Sequence, residues 1–235
     1  MMTKGTKEGC FQDLKQRILV TDLEPGSDLD EASLSERYGI SRTPLREVLQ
    51  RLAGEGYVSI ETNRGAKVAT MNVLAMRTFF QTAPMVYANI SRLAAENRTS
   101  AQIEGLKSVQ RAFVKALAGD DAAQAALENH AFHEQIGQMA HNPYLMACLD
   151  RLLIDHTRLG QTFYSPSAPE DAGLIQRAVD QHDGMISAIE NGEPALAIDL
   201  TLQHWDLSRD RMERFVRPDP LPVDVLSLSD RRHAV

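Results

Sequence analysis

Between Phe11 and Asp22 the apolar residues Phe11, Leu14, Ile18 and Leu19 recur at helical spacing, and Glu24-Pro25-Gly26 closes the segment as a turn. The pattern predicts a first helix. A shorter second helix follows, with Asp30 as its cap, Leu34 and Tyr38 as its apolar positions, and Gly39 as the turn residue that ends it. In a third helix Ser41 suits the N-cap and Pro44 falls in the first turn, where its missing N–H costs nothing. Leu45, Val48, Leu49 and Leu52 form its buried stripe. Arg42, Thr43 and Arg46 then point away from the core. Gly54 and Gly56 end the helix, and Tyr57–Ile60 and Ala66–Thr70 read as short strands joined by Thr62-Asn63-Arg64-Gly65. Three helices followed by a hairpin with a basic tip is the order of a winged helix-turn-helix, a DNA-reading arrangement.

From about Asn72 the pattern changes to helix after helix. Breaks fall at Asn97-Arg98-Thr99, Gly119-Asp120, His141-Asn142-Pro143, Ser165 to Asp171 and Gly192, with no strand alternation. Six antiparallel helices packed as one bundle satisfy this pattern, so the expected fold is mainly α. The expected division is 8–70 for the winged helix, 71–77 for a linker and 78–216 for the bundle. Residues 217–235, with three prolines and no helical period, are expected to form a flexible tail.

Composition narrows the class without deciding it. The chain has 235 residues, 43% apolar and 24% charged, which suits two globular units, and no apolar run is long enough for a signal or a membrane span. A cytoplasmic protein with no membrane partner is expected. Cys10 and Cys148 lie too far apart in sequence for a paired metal knuckle. The net charge of −7 argues against nucleic acid until it is divided: residues 1–70 hold 10 Lys+Arg against 11 Asp+Glu, leaving 15 against 21 for the rest. Between Arg37 and Arg51 stand four arginines (Arg37, Arg42, Arg46, Arg51) and one acid, Glu47, so a local basic face is expected on a neutral domain.

Within the bundle three helices put polar residues on apolar stripes. Around 121–140 the stripe Ala122, Ala126, Asn129, His133, Ile136, Ala140 places Asn129 and His133 one turn apart and inward. His182 shares a stripe with Ile175, Val179, Ile186 and Ile189, and His204 shares one with Ala197, Leu200 and Leu207. A buried imidazole needs a hydrogen-bond partner or a metal ion. Each histidine alone reads as a hydrogen-bonded core residue, whereas together with Asn129 they make a bundle metal site. His130, His141, His156 and His233 fall off these stripes and read as surface or packing residues.

The run from Ile40 through Ser41-Arg42-Thr43-Pro44-Leu45-Arg46-Glu47-Val48 to Leu49, with Leu52, Gly56 and Arg64-Gly65, resembles the DNA-binding domain of the GntR family of bacterial transcription regulators. The resemblance implies operator contacts from Arg42, Thr43 and Arg46, and a wing carrying Arg64 and Gly65 that approaches the minor groove. Ala32 stands where some relatives carry a further DNA-contacting arginine. Phe132-His133, Asn142-Pro143, His182, Gly192 and His204 resemble the FCD effector domain of the FadR subfamily. This implies a divalent metal, zinc or nickel, on Asn129, His133, His182 and His204, holding the carboxylate of a small organic acid. It also implies a homodimer, which would read a palindromic operator; repression relieved by ligand is the expected direction of control. The chain departs at Ala83 and Tyr87, where many relatives carry Arg and Glu, and Pro84 between them predicts a kink. A bundle metalloenzyme using the same four residues is the alternative from another class.

Overall fold

The computed structural model describes residues 6–61, 65–166 and 169–216. Helix α1 spans Lys7–Leu19, four residues earlier at its start than the apolar pattern predicts, because the Thr6 side chain accepts from the Gly9 amide and caps it. Helix α2 (Glu31–Tyr38) opens on Asp30, whose carboxylate accepts from the Ser33 amide at 2.8 Å, and closes on Gly39 at φ 64°. Helix α3 (Arg42–Glu55) starts at Ser41, whose side chain makes no capping bond, and continues through Gly54 to stop at Gly56, φ 88°.

Strands β2 (Val58–Glu61) and β3 (Gly65–Val68) pair antiparallel, with Ile60 opposite Ala66. A two-residue strand β1 (Asp28–Leu29), too short to show alternation in sequence, pairs with the outer side of β3 and gives the order β1-β3-β2. Phe11, Leu14, Ile18, Leu45, Leu49 and Leu52 close this unit's core. Full burial of each such side chain contributes about 1.5–3 kcal/mol relative to exposure.

Helix α4 (Val73–Asn97) begins inside the stretch expected to link the two units and runs on through Pro84. It is followed by α5 (Ser100–Ala118), α6 (Ala122–Met139), α7 (Pro143–Phe163), α8 (Pro169–Asn191) and α9 (Pro194–Val216), so the bundle has six helices among the described residues. The ends are set by caps the sequence carries: Thr99 and Gln102 form a reciprocal capping box for α5, Asp121 caps α6, and Asn142 caps α7 with Pro143 in the first turn. Phe79, Tyr87, Phe132, Ile136, Leu149, Leu153, Met185 and Trp205 belong to the main bundle core. The expected tail, 217–235, lies outside the described residues.

The two units touch through α7. Ile154 is fully buried in the core of the winged unit, Gln161 donates to the Leu19 carbonyl at the end of α1 (2.8 Å), and Arg158 donates to the Ala69 carbonyl (3.1 Å). The Gln161 bond satisfies one of the carbonyls that a helix C-terminus leaves open. None of the described helices is long and apolar enough to cross a membrane.

Candidate functional site

Two sites come from the sequence, one on each unit. On the outer face of α3, Arg42, Thr43 and Arg46 are exposed, as the buried stripe of that helix requires. Arg46 uses only its Nε for an ion pair, donating to both Glu31 oxygens at 3.0 and 3.1 Å. Its two terminal amino groups remain on the outer side of the guanidinium, the pair of donors that matches a guanine edge or a phosphate. Gly65 is exposed at φ 80°, and a Cβ built there meets nothing within 4 Å, so backbone conformation and not space calls for glycine. Arg64 lies outside the described residues. Arg51 does not join the basic face: it packs over the Phe11 ring at 3.6 Å and pairs with Glu8 and Glu55, facing α1. Lys7 pairs with Glu47 beside it.

The second site is inside the bundle. Asn129, His133, His182 and His204 are at most 4% exposed, and the ring nitrogens of the three histidines come within 4.8 Å of one another. His182 Nδ1 lies 3.0 Å from Gln110 Oε1, whose amide is oriented by donating to the Val179 carbonyl and to Asp183. The His182 proton therefore sits on Nδ1 and its Nε2 carries a lone pair. His204 makes the same contact through Nδ1 to Gln181 Oε1 at 3.1 Å. The Nε2 atoms of His133, His182 and His204 and the Oδ1 of Asn129 are all buried without a hydrogen-bond partner.

Burial dominates the electrostatics of this centre. Desolvation holds His133 and His182 well below the usual histidine range, neighbouring imidazoles adding to the effect, and lowers His204 to about 4. All three are neutral near pH 7, the state that ligates a metal. Unpartnered buried nitrogens on three converging neutral histidines are costly as an empty polar core and fit a divalent metal ion. The amides of Gln110 and Gln181 act as the outer partners that fix the ring tautomers.

Sequence reasoning missed several residues here. His156, off every stripe, is buried with its Nδ1 2.8 Å from the Tyr87 hydroxyl, and its ring lies 5.1 Å from that of His133. Desolvation lowers its pKa to about 3. His130 is also buried, its Nδ1 2.7 Å from the Thr157 hydroxyl, while His141 is exposed and His233 lies outside the described residues. Ala83 is fully buried, so the missing arginine leaves no exposed gap, and Tyr87 packs edge-on against His133 at 5.1 Å. The signal for His156 was lost because α7 buries more than one face.

An open cleft of about 810 Å³ between the units is lined by residues including Lys15, Arg51, Tyr57, Glu134, Asp150 and Arg151. Glu134, next to His133 in sequence, lines this cleft.

Comparisons with known proteins place both halves. Residues 6–68 match the model for bacterial regulatory proteins of the gntR family, and residues 85–207 match the FCD domain. The chain is 25% identical over 197 residues to the HTH-type transcriptional repressor RspR of Escherichia coli strain K12, covering 77% of this chain and 86% of that protein. It is 22% identical over 204 residues to the gluconate operon transcriptional repressor of Bacillus subtilis strain 168, covering 86% and 82%. Among solved structures, E. coli McbR/YncC superposes with a TM-score of 0.77 at 18% identity, covering 92% of this chain and all of that one. A putative GntR regulator from Rhodococcus sp. RHA1 gives 0.71 at 13% identity, covering 90% and 99%. These relatives are regulators, which removes the metalloenzyme alternative. The chain belongs to the GntR family of bacterial regulatory proteins, its helical half being an FCD domain, and is a transcription regulator and not an enzyme.

Proposed function

We propose that the protein is a ligand-responsive repressor whose bundle senses a small carboxylated metabolite at a metal centre and thereby changes affinity for operator DNA. Residues 8–70 read the operator through Arg42, Thr43, Arg46 and the wing of Arg64 and Gly65. Residues 71–77 connect them to the effector and dimerisation unit, 78–216. A homodimer places two recognition helices on a palindrome and gains avidity by effective concentration, since one helix reads only a few base pairs. A protein that acts on DNA in a bacterium works in the cytoplasm. Relatives named as repressors favour repression as the basal state.

The observation that carries this reading is the set of four buried, unpartnered atoms, Asn129 Oδ1 and the Nε2 of His133, His182 and His204. A zinc or nickel ion held there supplies a Lewis-acidic anchor for an effector carboxylate. The chain's own residues do the rest. Gln110 and Gln181 hold the imidazoles in the ligating tautomer, and the surrounding aromatic rings keep water out. On α7, His156 contacts His133 while Arg158 holds the Ala69 carbonyl, so movement around the pocket reaches the DNA-binding unit through one rigid helix. Coupling of this kind is typically worth about 1–3 kcal/mol.

The test is elemental analysis of the purified protein, joined to a thermal-shift screen of small organic acids before and after chelation. Near-stoichiometric metal, an acid that stabilises only the metal-loaded protein, and loss of metal in His182→Ala with DNA binding retained are expected. Absence of metal after supplementation, or unchanged metal content in His182→Ala, would refute the centre.

A further inference from the structure

The open cleft of about 810 Å³ has α1 and the end of α3 on one side and α6 and α7 on the other. Two of its cations are already committed. Arg51 pairs with Glu8 and with Glu55 of the same cleft, and Arg151 pairs with Asp155. Three charges remain. Lys15 on α1 holds its Nζ 5.3 Å from the centre of the Tyr57 ring, while Glu134 on α6 and Asp150 on α7 line the bundle side. None of the three is in an ion pair among the described residues. Burial raises the pKa of both carboxyl groups, and the Lys15 charge opposes that rise, so the ammonium acts on both acids without touching either.

A fourth group joins them. His130 stands one turn before Glu134 on the same face of α6, is only 9% exposed and lines the cleft. The Thr157 hydroxyl donates to the Leu153 carbonyl at 2.6 Å, so toward His130 Nδ1, 2.7 Å away, it can only accept. The ring proton is therefore on Nδ1, and Nε2 keeps a lone pair that has no partner among the described residues. His130, Glu134 and Asp150 do not close to the 4.8 Å that brings the three bundle histidines together. The set is too open for a bare metal ion and suits a polyatomic cation.

An ammonium group carries three N–H donors and no lone pair, the complement of three acceptors. Across the cleft, Lys15 offers a positive charge to an anionic group. The uncommitted groups carry one positive charge against two negative, so the ligand that neutralises them carries both signs and a net charge of plus one. We propose that this cleft is a second ligand site, for a cationic amino acid, with the ligand carboxylate on Lys15 and its ammonium groups on Glu134, Asp150 and His130. Such a ligand touches the DNA-binding unit and the bundle at once and stabilises their docked arrangement.

The test is calorimetric titration of the full-length protein with L-lysine, cadaverine and L-norleucine. Cadaverine is lysine without the carboxylate, and norleucine is lysine without the side-chain ammonium. Lysine is expected to bind about tenfold tighter than either, each missing contact being charge-assisted. Lys15→Met should bring lysine down to the level of cadaverine, and Asp150→Asn should bring it down to the level of norleucine. Lys15→Arg should keep the wild-type order. Because an amino acid also chelates metal ions, the titration is repeated after chelation. The same order of affinities with and without chelation supports the site. Binding that vanishes on chelation puts the amino acid on the histidine centre and overturns the proposal. Equal affinity for all three compounds, or no lysine binding at about 10 mM, also overturns it and leaves the metal reading untouched. If chelation unfolds the protein, the variants decide on the protein as purified.

Discussion

Glu31 holds Arg46 by one side of its guanidinium, and that pairing should decide how selectively the recognition helix reads DNA. The bonds from Nε to the two carboxylate oxygens, 3.0 and 3.1 Å, fix the plane of the group and leave its terminal amino groups outward. The pair itself does little for the fold. The Arg46 side chain is 64% exposed, and pairs of that exposure contribute only about 0–1 kcal/mol. Its effect belongs to recognition, where a bidentate arginine–guanine contact discriminates by about 1–3 kcal/mol. Arg46→Ala should therefore weaken operator binding by about 5- to 150-fold and scrambled DNA far less, without changing the melting temperature. Glu31→Gln removes the anchor and also one negative charge facing the phosphates. Binding to scrambled DNA should rise by about threefold and operator binding fall by a similar factor, so the ratio drops about tenfold. The assay is fluorescence anisotropy on an operator selected from random DNA and on a scrambled duplex, between 50 and 200 mM salt, roughly the range over which phosphate contacts show their slope. If Arg46→Ala weakened both duplexes equally and reduced the salt slope by about one, Arg46 would be a phosphate contact. An unchanged ratio in Glu31→Gln would refute the positioning argument.

Three further outcomes follow from packing and protonation. Gly56→Ala should destabilise the protein by about 1–2 kcal/mol in urea titrations, because φ is 88° and the new methyl would lie 2.6 Å from Arg151 Cδ on α7; a neutral result would mean that α7 gives way freely there. Gly137→Ala drives a methyl into Leu149 and the Met146 sulfur inside the bundle, and about 1–3 kcal/mol of destabilisation is expected by thermal denaturation, with no loss meaning that α7 repacks. His130, His156 and His204 fold with pKa values lowered by burial to about 4, about 3 and about 4, against 6.5 for the free group. The unfolded chain takes up protons first, so the stability of chelated, metal-free protein should be full above pH 6.5 and fall steadily toward pH 4. A melting temperature flat across that window would show these imidazoles to be hydrated and not buried.

How far the sequence could be read is best judged on α7. Helices α6, α8 and α9 each turn a limited face inward, so Asn129, His133, His182 and His204 stand out as polar intrusions on apolar stripes, and the structure brings the three histidines together. The same periodicity located α2 and α3, whose ends are written in Asp30, Gly39 and Gly56. Helix α7 obeys no such rule, because it packs against α4, α6, α9 and α1. Asp155, His156, Thr157 and Arg158 are four consecutive polar residues, all buried, where a solvated stretch would be expected. Three of them reach a different neighbouring element. Asp155 pairs with Arg158, His156 meets Tyr87 on α4, Thr157 meets His130 on α6, and Arg158 reaches Ala69 in the DNA-binding unit. No spacing along one helix can encode partners 27 to 89 residues away. The Glu31–Arg46 pair escaped notice for the same reason, its members being 15 positions apart on different helices. What pattern reading loses is therefore the polar contact between elements, and in this protein those contacts run from the histidine centre through α7 to the end of the winged unit at Ala69. Arg158 marks the cost of that link. Its Nη1 has two partners, while Nε and Nη2 are buried without any, so the boundary between the units contains a half-satisfied charge. A buried cation in that state favours any rearrangement that admits water or an acceptor, which makes this boundary the place where the docked arrangement of the two units is least secure.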